Sequence, residues 1–338
     1  MKKMVGVRGA ILFGLILLLA ACGEQSKEDV LGKLESNLES MDGYKAKAVM
    51  TMTTGQENQT YNIDIWHQKK DYYRVELANE QDEKGSQIIL KNDDGVFVLS
   101  PALNKSFKFQ KEWPENGSQP YLYQSLVSDI ANDGEATFTT TEDHYIFKTE
   151  TNYQSNNNLP YQEIYFDKES YTPVKVKVLD KDENALVQVD YSEFNMDPDF
   201  NDDDFAMEKN MKSNKAKETV SGKDNEDTFT VLYPLEMVGS ELVEEKEVDM
   251  ENGKRVIMSF SGEKKFTLVE EKLDVIPTSA SSQMVNGDIV NLGHSIGVLS
   301  DNTIEWTNNG MNFMLASDEL TKDELIHVAK SVQGKKAK

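Results

Sequence analysis

Cysteine is almost absent: Cys22 is the only one in 338 residues. The chain therefore has no disulfide, and beyond that residue it has neither a thiolate metal site nor a catalytic thiol, so its stability must come from a core. Histidine is nearly as scarce, and His67, His144, His294 and His327 stand far apart with no H-x-x-H or H-E-x-x-H spacing, so no metal site is expected. Positive charge is in deficit. Thirty-six Lys and Arg face 59 Asp and Glu, a formal net charge of −23, with the carboxylates spread along the chain. That balance excludes nucleic acid as a partner and argues against electrostatic docking on anionic lipid. No glycine loop of the kind that cradles phosphate is present, and nothing implies a cofactor. The apolar run that begins at Ala10 is too short to span a hydrocarbon core of ~30 Å.

What that run does offer is a secretory signal. Lys2, Lys3 and Arg8 form a basic n-region, an apolar h-region follows, and small residues mark a cut site. Leu19-Ala20-Ala21-Cys22 resembles the bacterial lipobox, which implies removal of residues 1–21 and diacylation of Cys22 as the lipid attachment residue. Because one acyl chain binds membranes only marginally and two anchor stably, the expectation is a lipoprotein held on the extracytoplasmic face of the cell membrane.

Past the anchor, Ser26 and Asp29 give an S-x-x-D helix start, followed by Val30, Leu31, Leu34, Leu38 and Met41 on one face and a stop at Asp42-Gly43. The period then changes to two, as in Tyr44, Ala46, Ala48, Met50 and Met52, in Tyr73, Val75 and Leu77, and in Val174, Val176 and Val178. Turn residues punctuate these segments so that about ten strands are predicted between Tyr44 and Phe194 at hairpin spacing, an antiparallel meander. One helix interrupts it, with Leu122, Leu126, Val127 and Ile130 on a face. A curved sheet covered by two helices leaves room between them for something apolar. Residues 209–227 are polar and read as a linker. Residues 228–338 read as a smaller α+β unit that ends in a helix opened by the capping box Thr321 to Glu324.

The order of turn and strand signatures resembles the LolA, LolB and RseB/MucB lipoprotein-carrier superfamily. The likeness rests on Asp42-Gly43-Tyr44, on Trp66 to Lys70 with Tyr72 to Glu76, on Asp94 to Val98 followed by Pro101 and Asn104-Lys105, and on Tyr165-Phe166-Asp167. Lipidation and the extra C-terminal unit bring the chain nearest to the LolA-like lipoproteins of endospore-forming bacteria, which are associated with sporulation. The resemblance implies an α+β fold, an incomplete antiparallel β-barrel over residues 22–208 with helices plugging its concave face. Its interior would be an apolar cavity that accepts acyl chains. The side chains expected to line that cavity are Trp66, Tyr73, Phe97, Phe107, Leu122, Leu126 and Phe138.

Two motifs hint at other chemistry. Gly293-His294-Ser295-Ile296-Gly297 fits the G-x-S-x-G nucleophile elbow, with Asp301 or Asp323 and His327 in permissible order. The elbow needs a strand before and a helix after the serine, however, and here another turn and strand follow, so a hairpin turn is expected and no residue is assigned a catalytic role. Asp197, Asp199, Asn201 and Glu208 mimic an EF-hand loop, yet Asp202 occupies the position that demands glycine. A solvated acidic turn that seats Phe205 is expected instead. The leading functional expectation is a non-enzymatic envelope lipoprotein that binds a lipid, an acyl chain or a lipidated protein. The alternative is a protein-binding regulator without lipid, with hydrolysis by Ser295 a remote third.

Overall fold

The computed structural model describes residues 25–54, 57–69, 71–79, 86–110, 113, 119–152, 159–213, 229–251, 253–273, 282–292, 295–308 and 310–334. Cys22, the signal segment and His294 lie outside them.

Helix α1 (Lys27–Ser40) starts where the sequence says it should. Ser26 Oγ accepts from Asp29 N at 3.1 Å and Asp29 Oδ2 accepts from Ser26 N at 3.3 Å, closing a capping box. The chain then turns into β1 (Gly43–Thr54). Glycine is required at its first position, because a Cβ there would sit 2.3 Å from the His67 carbonyl oxygen. Strands β2 (Glu57–Gln68), β3 (Tyr72–Asn79), β4 (Gln87–Asn92), β5 (Gly95–Ser100) and β6 (Lys105–Phe109) follow as an antiparallel meander. Helix α2 (Tyr123–Asn132) separates them from β7 (Thr137–Thr140), β8 (His144–Glu150), β9 (Tyr161–Asp167), β10 (Pro173–Leu179) and β11 (Ala185–Asn195). The second meander joins the first through β1 and β11, in the order β6-β5-β4-β3-β2-β1-β11-β10-β9-β8-β7. Among the described residues the sheet does not close: it is an incomplete barrel, with β7 as one edge.

Helix α3 (Met207–Ser213) lies against the convex side of this sheet. The expected linker therefore begins later than residue 209, because Asn210 and Met211 are buried there; residues 214–227 lie outside the described set. The later part of the chain supplies β12 (Tyr233–Pro234), β13 (Ser240–Met250), β14 (Gly253–Gly262), β15 (Phe266–Leu273), β16 (Ser282–Val285), β17 (Asp288–Asn291), β18 (Ile296–Leu299), β19 (Thr303–Asn308), β20 (Met311–Ala316), α4 (Lys322–Lys330) and β21 (Val332–Gly334). Seven of these strands form a second sheet, β13-β14-β15-β20-β19-β18-β17, whose inner face packs on α4 through Leu325, Val328 and Ala329. Strand β16 leaves that unit and pairs in parallel with β6, becoming the far edge of the first sheet.

Parity along the strands sorts the first sheet's side chains between two cores. Ile89, Val96 and Val98 face the concave side with both helices, whereas Ile88, Leu90, Phe97 and Leu99 face the convex side with Phe205 and Met211. Two of the expected cavity residues are corrected by this rule. Phe97 follows the convex parity of β5, and Trp66 stands one step out of phase with the inward Ile63 and Ile65. Both cover the outside of the sheet. There Trp66 lies under the Arg74 guanidinium, 4.7 Å from its ring centre. Arg74 is itself held by Asp64 at 3.1 Å, Glu76 at 2.6 Å and Asn210 of α3 at 2.7 Å.

Candidate functional site

The concave face is where the elements converge. Helix α1 contributes Val30 and Leu34, and α2 contributes Tyr123, Leu126, Val127 and Ile130, all fully or almost fully buried in one core with the inward side chains of the sheet. Of the residues expected to line a cavity, Tyr73, Phe107, Leu122 and Leu126 meet in this core, and Phe138 packs at its margin, 4.9 Å from Phe147 between ring centres.

Within this apolar setting lies a set of polar side chains that α2 organises. Gln124 on α2 accepts from the Tyr44 hydroxyl at 2.8 Å and donates to the Tyr73 oxygen at 2.7 Å, so one helix residue joins β1 and β3. The Tyr44 oxygen accepts the Tyr123 N–H at 3.2 Å, supplying a partner to a helix-start donor that has none within the helix. His67 stacks on Tyr73 with ring centres 4.5 Å apart and donates from Nδ1 to the Tyr72 carbonyl at 3.1 Å. Trp113 meets Tyr73 edge-on at 5.5 Å, and Phe194 stacks on Tyr44 at 4.9 Å. Burial pushes the Tyr44 hydroxyl well above its ordinary pKa and the His67 imidazole below its own, so both are held neutral. At the other end of α2, Asp129 accepts from Gln162 Nε2 at 2.7 Å, and Asp133 accepts from the Thr149 hydroxyl at 2.8 Å.

Three buried polar atoms on this face have no hydrogen-bond partner among the described residues: Trp113 Nε1, Tyr191 Oη and Gln162 Oε1. Tyr191 stands opposite Ala48 in the β1–β11 register, and Gln162 shares the inward parity of Ile164 and Phe166. A buried group left unpaired costs about 1–3 kcal/mol. Two donors and one acceptor are thus presented inside an otherwise apolar interior. Sequence reading missed Tyr44, Trp113, Gln124, Gln162 and Tyr191. The available signal was polar residues at positions whose neighbours in phase are apolar, such as Gln162 beside Ile164 and Phe166.

The two motifs resolve otherwise. Ser295 is buried at the seam between the two sheets, with Oγ 2.6 Å from the Thr307 carbonyl oxygen and 3.0 Å from Gln87 Oε1. Neither is a base, and His327 stands 3.9 Å from Glu236. The Asp197 to Ala206 stretch is a turn that leads into α3, which carries Glu208; in it Asp204 accepts from Asn201 N at 3.0 Å and pairs with Lys209 at 2.7 Å, and Phe205 is buried beneath it. No group of three or more metal-ligating side chains comes together among the described residues.

A largely antiparallel open sheet roofed by two helices, with polar side chains held inside the roofed core, is an incomplete barrel, here followed by a second, smaller sheet-and-helix unit. The chain belongs to the sporulation protein YdcC-like family, whose model matches residues 2–205. It is 46% identical to sporulation protein YdcC of Bacillus subtilis (strain 168) over 341 residues, covering 100% of both chains. Among solved structures it is similar to a chain of the Pseudomonas aeruginosa MucA/MucB complex, at 12% identity, 91% of this chain, 99% of that chain and a TM-score of 0.33. It is also similar to a LolA superfamily protein from Nitrosomonas europaea, at 11% identity, 55% of this chain, 99% of that chain and a TM-score of 0.32.

Proposed function

We propose that this protein is a lipid-anchored, non-enzymatic binding protein of the extracytoplasmic face of the cell membrane. In this reading it acts in sporulation, and its helix-roofed concave face takes up an acyl chain or the lipidated end of another envelope protein. The observation that carries the proposal is the trio of unpartnered buried atoms, Trp113 Nε1, Tyr191 Oη and Gln162 Oε1, within an apolar core. A ligand with an apolar chain and a polar end would satisfy both parts of that interior. Anchoring would come from Cys22, which closes the lipobox-like Leu19-Ala20-Ala21-Cys22; no helix among the described residues is long and apolar enough to cross a membrane. The sporulation role follows the YdcC relative. Against hydrolysis stands Ser295, whose hydroxyl is engaged by Thr307 and Gln87.

A second reading, a protein-binding regulator with a filled interior, is favoured by the complete burial of Leu34, Leu122 and Leu126 beneath the roof. Native mass spectrometry of the chain purified without its anchor separates the two. Bound lipid is expected under the first reading and a bare chain under the second. Replacing Cys22 with Ser tests the anchor: metabolic labelling with a fatty-acid analogue is expected to vanish, and persistence of label would remove Cys22 from that role.

A further inference from the structure

Among the described residues four strands end the two larger sheets, and three of them are short. β7, β16 and β17 each have four residues, which is how native sheets ordinarily limit the unpaired backbone that an edge presents. β13 departs from that pattern. It has eleven residues, pairs with β14 along one side only, and has no strand on its other side among the described residues. A bulge at Val243, which is 63% exposed, interrupts the ladder near its start and leaves Glu244 to Met250 as a regular run.

The side chains of that run are ordered by face. Glu245, Glu247 and Asp249 stand opposite Met258, Val256 and Lys254 of β14 and share one side of the strand at a spacing of about 7 Å. Glu244, Lys246, Val248 and Met250 share the other. With Glu241, the strand carries five carboxylates against one lysine. Lys254 reaches Glu247 at 3.0 Å and Asp249 at 3.9 Å, but these are exposed pairs of the kind worth little, readily exchanged for another cation. Beside the bulge lies a cavity of about 530 Å³ bordered by Val243, Ser259, Thr267 and Ala316, room for a side chain from an added segment.

We propose that the free edge of β13 from Glu244 to Met250 docks an extended, basic segment of a partner protein, which adds as a further strand of the second sheet. Main-chain groups of the edge supply the hydrogen bonds, and lysines or arginines at alternate positions of the partner face Glu245, Glu247 and Asp249. Charge selects the occupant. A second copy of this chain would bring carboxylate row against carboxylate row, and an anionic membrane is repelled for the same reason. This site is independent of the concave face and survives the failure of the lipid reading.

The test uses the whole mature chain with a short peptide alternating lysine and valine, beside a control alternating glutamate and valine. Hydrogen exchange is expected to slow across residues 244–250 with the lysine peptide alone, and the binding to weaken as salt is raised. The combined variant Glu245→Lys, Glu247→Lys, Asp249→Lys, all at exposed positions, is expected to lose about tenfold or more in affinity for the lysine peptide and to gain the glutamate one. Binding without protection of β13, protection elsewhere, or unchanged affinity in the variant would overturn the proposal. Should the variant fail to fold, the exchange map of the unaltered chain decides alone.

Discussion

Glu270 shows how one residue's surroundings set a response of the whole chain. Its carboxyl is fully buried on the inner side of β15, where both oxygens accept the Leu232 N–H at 3.1 Å. Burial disfavours the charge more strongly than that hydrogen bond favours it, the Glu245 carboxylate adds repulsion, and the pKa is pushed from 4.5 up to about 8. The sign of the consequence follows. Between pH 4.5 and about 8 the unfolded chain has released this proton while the folded one keeps it, so stability falls as pH rises across that window. The slope is at most about 1.4 kcal/mol per pH unit and levels off above the folded value. Glu270→Gln keeps an acceptor for Leu232 and removes the titration, so chemical denaturation at pH 5 and pH 8 is expected to differ less for the variant than for the native chain. An equal pH dependence in both would place the effect elsewhere.

Among the elements, helix starts and half-buried strands were legible because each has a local cause. The capping boxes at Ser26 and Thr321 appear in the sequence and in the structure at the same residues. Strands with one wet face, such as β8 and β9, alternate visibly. Faces were not legible where both sides of a strand are covered. Gln87 to Leu90 and Val96 to Leu99 read as unbroken runs with both parities buried, and Phe97 went to the convex core because α3 covers it, a contact about a hundred residues away in sequence. The β16–β6 pairing was likewise hidden, since a four-residue parallel strand carries no periodic signature. For α2, whose apolar face and polar ties both point into the concave core, Leu126 is the discriminating residue. Leu126→Ala in a filled interior is expected to cost roughly 2–5 kcal/mol by denaturation, and Leu126→Trp about 1–3 kcal/mol from overpacking, with no binding of a fluorescent fatty acid. In a lipid-receiving interior the Trp variant is expected to keep near-native stability while probe binding falls.

Across the whole molecule, the two sheets are joined by buried polar side chains as well as by strand exchange. Gln87 of β4 reaches into the second unit: its Oε1 accepts the Ile296 N–H at 2.7 Å and lies 3.0 Å from Ser295 Oγ, and its Nε2 donates to Thr307 Oγ1 at 3.1 Å. Ser100 at the end of β5 touches the same Thr307 hydroxyl at 3.1 Å. Nearby, Lys105 stands 3.5 Å from Glu305, and β16 completes the seam through its ladder with β6. Such a network couples the units because Gln87, Ser100, Ser295 and Thr307 are buried and serve as one another's partners, so withdrawing one removes bonds in a place that water reaches poorly. Its removal therefore acts on the coupling more than on either core. Gln87→Ala leaves the Ile296 amide bare, at about 1–3 kcal/mol, and leaves the Thr307 hydroxyl with Ser100 alone. Calorimetry is expected to show a single unfolding transition for the native chain and two separated transitions for the variant, the second sheet's core melting apart from the first. A variant that still melts in one transition at the native temperature would mean that the β16 strand alone holds the two units together.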